Sequence, residues 1–348
     1  MLTAFTLGSN VKQNSCPSNN EPPRASSPGE RAPLKRRSFV ALAAVTTLSS
    51  GVTAKEIATR SAADGNGDET PTSLLPAGKL LKTVVGPLAV RDTGSQAAGG
   101  EVIVLWPSVL ADHRIYRRQI EAWRGKHRLV VIDGPGHGES GSAPGPFTMA
   151  QCGRAVGEVL DALGLMQPVV MVGTSWGGLV AGEYAIAQPQ RTRAVVMLNT
   201  PVYTSSDGPS FGDRFVVWGA RWIPNTGLYQ DGVAKAFFLP ATRELGGPLL
   251  QDFHQHLRDV DGAALAPAVR SVLIEREPLA PRMNQIKAPT LFVAGRQDGM
   301  YPMEDLRRAA AALPRGRFEV LEAAHIAVVD APEQCTALIN EFLFSLPA

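Results

Sequence analysis

The chain is predicted to adopt an α/β fold: a mostly parallel central sheet, helices on both faces, and a helical cap inserted between strands. Three observations predict it. From about residue 83, short continuous apolar runs alternate with segments of helical period. The apolar runs lack the polar alternation of a half-exposed strand, so both faces of the sheet should be covered. Residues 201–285 then break the rhythm, with helix-like pieces and no clear strand. An insertion of that length between two strands of one sheet reads as a cap over a site.

The elements follow in order. Residues 102–105 are a buried strand and 113–123 an amphipathic helix. Residues 129–132 are the next strand, which ends in Asp133-Gly134-Pro135-Gly136. Over 148–163, Cys152, Val156, Val159, Leu160 and Leu163 share one helical stripe. Residues 169–172 are a strand, 176–187 a small-residue helix and 195–198 a strand. After the cap come strand 290–293, helix 303–313, strand 318–321 and a closing helix over 332–344.

The N-terminal part has another character. Residues 1–34 are rich in Ser, Pro and Asn and show no period. Lys35-Arg36-Arg37-Ser38-Phe39-Val40 then precedes an uncharged run through Thr53, too short and too weakly apolar to span a bilayer. A basic patch, a short apolar stretch and Val52-Thr53-Ala54 fit an export signal with a small-residue cleavage site. The Arg-Arg-Ser-Phe-Val string resembles a twin-arginine signal, which is an address and not an anchor. An organelle transit peptide and a plain disordered tail are the competing readings. Residues 1–54 are thus read as an extension with an export signal, 55–79 as a polar linker, and 80–348 as the folded domain. The expected location is periplasmic or secreted if Arg36-Arg37 is used, and cytoplasmic otherwise.

Of 348 residues, 44% are hydrophobic and 19% charged, with a formal net charge of +2. Residues 1–75 hold 8 Lys+Arg and 6 Asp+Glu, so the remainder holds 26 of each and is neutral. A neutral body lacks the clustered cations that nucleic-acid binding requires. A small, largely hydrophobic molecule is the expected partner. Cys16, Cys152 and Cys335 cannot make a disulfide framework, and none sits in a C-x-x-C pair. Cys152 and Cys335 fall on apolar helix faces and are expected as buried thiols.

The chemistry centres on Gly173-Thr174-Ser175-Trp176-Gly177, a G-x-S-x-G motif. Its context is strand 169–172 before it and a helix at once after it. That geometry is a nucleophile elbow, a sharp turn that pushes the serine out of the sheet. A serine hydroxyl needs a base, and the base needs an orienting group. His325 lies in the loop between strand 318–321 and the last helix. Asp298 lies in the loop after strand 290–293, between Ser and His in chain order. All three are placed at the carboxyl edge of the sheet, where α/β folds build their sites. Asp133 is a rival acid at an earlier strand end, but it precedes the nucleophile.

At these residues the chain resembles the α/β-hydrolase superfamily over roughly residues 80–348. The Gly134-Pro135-Gly136-His137-Gly138-Glu139-Ser140 stretch is similar to the superfamily's G-x-G-x-S loop. Gly295–Asp298 with Pro302, and the late His325, match its acid and base segments. Within it the chain looks most like the esterase, enol-lactonase and cofactor-free perhydrolase group, in which a helical cap at this position is typical. The resemblance implies hydrolysis of an ester or lactone through an acyl-enzyme on Ser175. One departure stands out. Where the superfamily has His-Gly after the first core strand, this chain has Trp106-Pro107-Ser108. Pro107 has no N–H, so the oxyanion hole is assigned to the amides of Trp176 and Ser108. Trp106, with Trp218 and Trp222 of the cap, is expected to line the substrate pocket.

Other constellations carry less. His254-Gln255-His256 is read as a solvated cap helix, since residues two apart on a helix diverge. His137 is expected to tie its own loop; His113 is close in sequence to the oxyanion loop, and a plain structural role is favoured there over contact with substrate. No G-x-G-x-x-G or P-loop motif occurs, so neither cofactor nor metal is expected. An Asp at the elbow would have signalled a dehalogenase or epoxide hydrolase. Perhydrolase or haloperoxidase-like chemistry and carbon–carbon hydrolysis use the same triad and stay open. So does a ligand-binding protein with little turnover.

Overall fold

A computed structural model describes residues 74–94 and 97–347. The expected extension and export signal over 1–54, most of the linker, and Cys16 lie outside the described residues. The core reaches back further than residue 80: Leu75 is buried within it, and the first strand opens at Lys79.

Eight strands form one sheet. β1 (Lys79–Thr83) and β2 (Gly86–Asp92) make an antiparallel hairpin, and β2 pairs antiparallel with β4. The other strands run parallel: β3 (Val102–Trp106), β4 (Arg128–Ile132), β5 (Val169–Thr174), β6 (Thr192–Leu198), β7 (Thr290–Gly295) and β8 (Gly316–Leu321). Their spatial order is β1-β2-β4-β3-β5-β6-β7-β8. Every residue of β3, β5 and β7 is buried, because both faces of these strands are covered. The β1–β2 hairpin escapes the apolar-run reading because β1 is an edge strand, with Lys79, Leu80 and Lys82 exposed.

Around the sheet lie α1 (Arg117–Trp123), α2 (Met149–Ala162) and α3 (Trp176–Ala187). Between β6 and β7 the cap consists of α4 (Phe211–Trp222), α5 (Gly227–Phe237), α6 (Pro240–Leu245), α7 (Gly247–Asp259) and α8 (Gly262–Arg270). The chain closes with α9 (Met303–Ala311), α10 (Ala327–Asp330) and α11 (Pro332–Phe344). Local signals set several boundaries. Thr148 and Gln151 form a capping box at the start of α2, and Ser210 and Asp213 form one at the start of α4. α3 is apolar on all sides and almost entirely buried, so it is a core helix. Cys152 of α2 and Cys335 of α11 are buried free thiols, and burial pushes the Cys335 thiol up to about 12.

Register places the site. Trp106 pairs with Gly173, Thr174 with Leu198, Leu198 with Val293, and Gly295 with Leu321. The loops after β3, β5, β6, β7 and β8 therefore leave the sheet at one edge. Chain order reverses on either side of β3, which pairs with β4 on one side and β5 on the other. Such a switch point opens a crevice at the carboxyl ends of the strands, and Ser175 lies directly after β5.

Candidate active site

The turn from β5 into α3 holds Ser175 at φ 54° and ψ −109°. A side chain in this region costs of order 1–3 kcal/mol and persists only where its surroundings dictate it. Here they do. The Ser175 N–H donates to the Leu198 carbonyl at 2.7 Å, tying the elbow to β6. A Cβ on Gly173 would meet the Gly177 carbonyl at 2.0 Å, and one on Gly177 would meet the Trp106 carbonyl oxygen at 1.9 Å. The two motif glycines thus let strand, helix and the loop after β3 close on one another. Ser175 is also the N-cap of α3, so the helix starts at this serine with its positive end facing it.

His325 and Asp298 converge on this serine. His325 Nε2 lies 2.8 Å from Ser175 Oγ, and His325 Nδ1 lies 2.8 Å from Asp298 Oδ2. The carboxylate is held on both oxygens: Met300 N–H donates to Oδ1 at 3.0 Å, and Asn199 Nδ2 donates to Oδ2 at 3.1 Å. An acceptor-only carboxylate makes Nδ1 the protonated ring nitrogen. Nε2 is then the acceptor, and the Ser175 hydroxyl donates to it. The rival, Asp133, is occupied elsewhere: it is buried against Arg91 at 2.9 Å and His113 Nδ1 at 3.0 Å. Burial opposes a charge on His113, but the Asp133 carboxylate outweighs it and raises the pKa of the ring.

Asn199 was not singled out by sequence reasoning. It sits just past β6 at φ 49°, a left-handed conformation that Asn tolerates better than most residues. Its amide nitrogen also donates to the Ala324 carbonyl at 3.1 Å, so one side chain links the loop of Asp298 to that of His325. Asp330 of α10 was missed as well. Its Oδ1 accepts from Leu239 N–H at 3.0 Å and Thr242 Oγ1 at 2.6 Å, and its Oδ2 from Ala324 N–H at 2.8 Å. It clamps the cap to the residue before His325. Neither residue belongs to a motif; only the fold brings their partners within reach.

The loop after β3 is organised from three sides. The Tyr116 hydroxyl donates to the Trp106 carbonyl at 2.8 Å and lies 2.9 Å from the hydroxyl of Thr174, which precedes Ser175. Leu110, at φ 65°, donates its N–H to His137 Nε2 at 2.9 Å. His137 Nδ1 in turn donates to the Pro135 carbonyl at 2.9 Å, so this ring ties its own loop and the neighbouring one together. Burial, assisted by nearby His256, pushes the His137 pKa down to about 4, which keeps the ring a neutral acceptor. Ser108 is fully buried, and among the described residues its hydroxyl has no hydrogen-bond partner. The Trp106 and Trp176 rings meet edge to face, with centroids 5.4 Å apart.

The cap requires two corrections. Trp218 and Trp222 are not pocket residues: they are 49% and 62% exposed on the outer side of α4. Gly212, Val216, Gly219 and Ala220 face inward instead. A Cβ on Gly219 would stand 2.4 Å from the Tyr229 ring, so the inner face of α4 takes only small residues and the large rings face outward. His256 is not solvated either. It is 2% exposed, with Nδ1 3.4 Å from Asp112 Oδ2. Burial alone would raise the Asp112 pKa, but His256 and Arg114 hold its carboxyl well below the usual range. The Phe237 ring of α5 lies 5.3 Å from the His325 ring, and that of Tyr301 5.8 Å away. The Phe237 carbonyl also accepts the Ile326 N–H at 3.1 Å.

A sequence profile of the alpha/beta hydrolase family matches residues 103–338. The chain belongs to the α/β-hydrolase family. This α/β hydrolase is 27% identical over 223 residues to 3-oxoadipate enol-lactonase 2 of Acinetobacter baylyi, covering 63% of this chain and 79% of that one. It is 23% identical over 256 residues to a pimeloyl-[acyl-carrier protein] methyl ester esterase of Xylella fastidiosa, covering 71% and 97%. Among solved structures, a thermophilic esterase from Thermogutta terrifontis superposes with a TM-score of 0.68 at 23% identity, covering 78% of this α/β hydrolase and all of that chain. That likeness bears on the fold.

Proposed function

We propose that this α/β hydrolase cleaves a carboxylic ester or lactone of a small, largely hydrophobic substrate through an acyl-enzyme on Ser175. The observation that carries this reading is the continuous bond path from Asp298 Oδ2 through His325 to Ser175 Oγ, with both bonds at 2.8 Å. Ser175 Oγ attacks the carbonyl carbon while its proton passes to His325 Nε2. Asp298 holds Nδ1–H and balances the imidazolium charge. The amides of Trp176 and Ser108 take the developing oxyanion. As the tetrahedral adduct collapses, the C–O bond breaks and His325 returns its proton to the leaving oxygen. Water, deprotonated by His325, then attacks the acyl carbon and frees Ser175.

Two features support the substrate class. The relatives named above include a lactonase and a methyl ester esterase, and both names describe acyl–oxygen cleavage. Ser175 is 3% exposed, and aromatic rings surround its base and its neighbour: Phe237 and Tyr301 at His325, Trp106 and Phe147 at Trp176. The test is covalent labelling with a fluorophosphonate probe beside turnover of p-nitrophenyl esters and a lactone panel. Wild type should label and turn over, and Ser175→Ala should do neither while remaining folded. A folded wild type that does not label, or equal labelling of the Ala variant, refutes the reading.

A further inference from the structure

Trp218 and Trp222 belong to a row of rings on the outer side of α4. Along α4, Phe211, Phe215, Trp218 and Trp222 recur at intervals of 4, 3 and 4 residues. At 100° per residue their Cβ directions fall within an arc of about 60°. Phe211 is 84% exposed, Trp218 49% and Trp222 62%, while Phe215 stacks on Trp218 at 5.6 Å. Leu228, at the start of α5, adds another exposed apolar side chain at 62%. Arg214 and Arg221 occupy one flank of this ridge, and the Arg221 guanidinium lies 4.4 Å from the centre of the Trp222 ring. Among the described residues neither arginine has a carboxylate partner. The lone acid of the helix, Asp213, is buried and bonded to Ser210.

We propose that α4 docks on an anionic lipid surface, lying flat in the interface with its ring row inserted and its arginines among the headgroups. Indole suits that boundary, with an apolar body and a polar N–H. Rings on one face flanked by cations make a helix that lies in the interface plane. Charge selects this occupant over a second copy. A two-fold pairing of α4 on α4 would bring four cations together, and α4 itself has no exposed carboxylate to meet them, since its one acid, Asp213, is buried. The attachment is a surface one: among the described residues no helix is long and apolar enough to cross a membrane, and α4 has 12 residues. The inner side of α4 is free for its structural duty. It packs on α8, whose Ala264 carbonyl closes against Gly136 in the loop after β4.

Flotation of the full-length protein with vesicles tests this independently of catalysis. The wild type should float with phosphatidylcholine–phosphatidylglycerol vesicles at low salt and much less with phosphatidylcholine alone. Trp106, Trp123 and Trp176 are no more than 1% exposed, so quenching by brominated lipid reads Trp218 and Trp222. The W218S/W222S variant should lose about tenfold or more in partition, which scales with inserted apolar area. R214Q/R221Q should lose about fivefold per charge removed and serves if the first variant misfolds. No flotation of the wild type, or unchanged flotation of both variants, overturns the proposal. A dimer in lipid-free solution that W218S/W222S dissolves would assign the ridge to a second copy and also overturn it. So would a lipid-free monomer in which acrylamide fails to quench these two tryptophans, since the ridge would then already be covered by its own chain.

Discussion

Replacing Asp298 by Asn removes one charge and changes nothing in size, yet no orientation of the amide satisfies the site. Oδ2 accepts from His325 Nδ1 and Asn199 Nδ2, and Oδ1 accepts from Met300 N–H. If the new NH₂ faces His325, it also faces the Asn199 amide, and the ring must offer Nδ1 as an acceptor. The proton then sits on Nε2, where it points at Ser175 and no base remains. Wrong-tautomer triads lose about 10⁴ in turnover, which is about 5 kcal/mol of barrier. If the NH₂ faces Met300 N–H instead, a buried donor stays unpaired at a cost of about 1–3 kcal/mol in stability. That second orientation keeps the tautomer but still removes the charge that would balance the imidazolium. So kcat should fall in both cases, by about 10³–10⁴ in the first, with KM little changed if Asp298 acts through His325 and not on bound substrate. Initial rates on a p-nitrophenyl butyrate series measure this, with urea denaturation to confirm a folded variant. A folded Asp298→Asn enzyme within tenfold of wild-type kcat would refute the role assigned to Asp298.

Two further perturbations follow from the same contacts. Asp330→Asn puts an NH₂ opposite at least one of the N–H groups of Leu239 and Ala324. It should cost about 1–2 kcal/mol in urea denaturation and lower kcat several-fold through the His325 loop; unchanged stability would remove the clamp assignment. His113 has a raised pKa in the folded state. The stability from its pair with Asp133 is therefore full below its unfolded pKa, near 6.5, and is lost as pH rises through the folded pKa. Urea midpoints of wild type and His113→Gln should differ more at pH 6 than at pH 9, and a gap that stays constant would contradict this.

Much of the molecule is legible in its chain because the controlling signals are short. A strand buried on both faces is a run of apolar residues, and β3, β5 and β7 announce themselves in that way. The elbow is five consecutive residues whose glycines are required by contacts with neighbouring elements. The order Ser175, Asp298, His325 follows from which strand ends carry a usable side chain. β1 is less visible, since an edge strand with exposed lysines has no apolar run.

The remaining features depend on partners far apart in the chain. Asn199 finds Asp298 across 99 residues, and Asp330 reaches Leu239 and Thr242 across 91 and 88. His256 is buried because the cap lays it against Asp112, while among the described residues its close neighbour His254 makes no such pairing. The cap shows the limit most plainly. An amphipathic helix read alone places its rings inward, because burying apolar area is favourable. In the folded chain the Tyr229 ring stands so close to Gly219 that a Cβ there would lie 2.4 Å from it, and the inner face of α4 holds Gly212, Val216, Gly219 and Ala220 instead of the large rings. Trp218 and Trp222 therefore face outward. Composition names the apolar residues of a helix, and the distance to its neighbours selects which of them the core can hold.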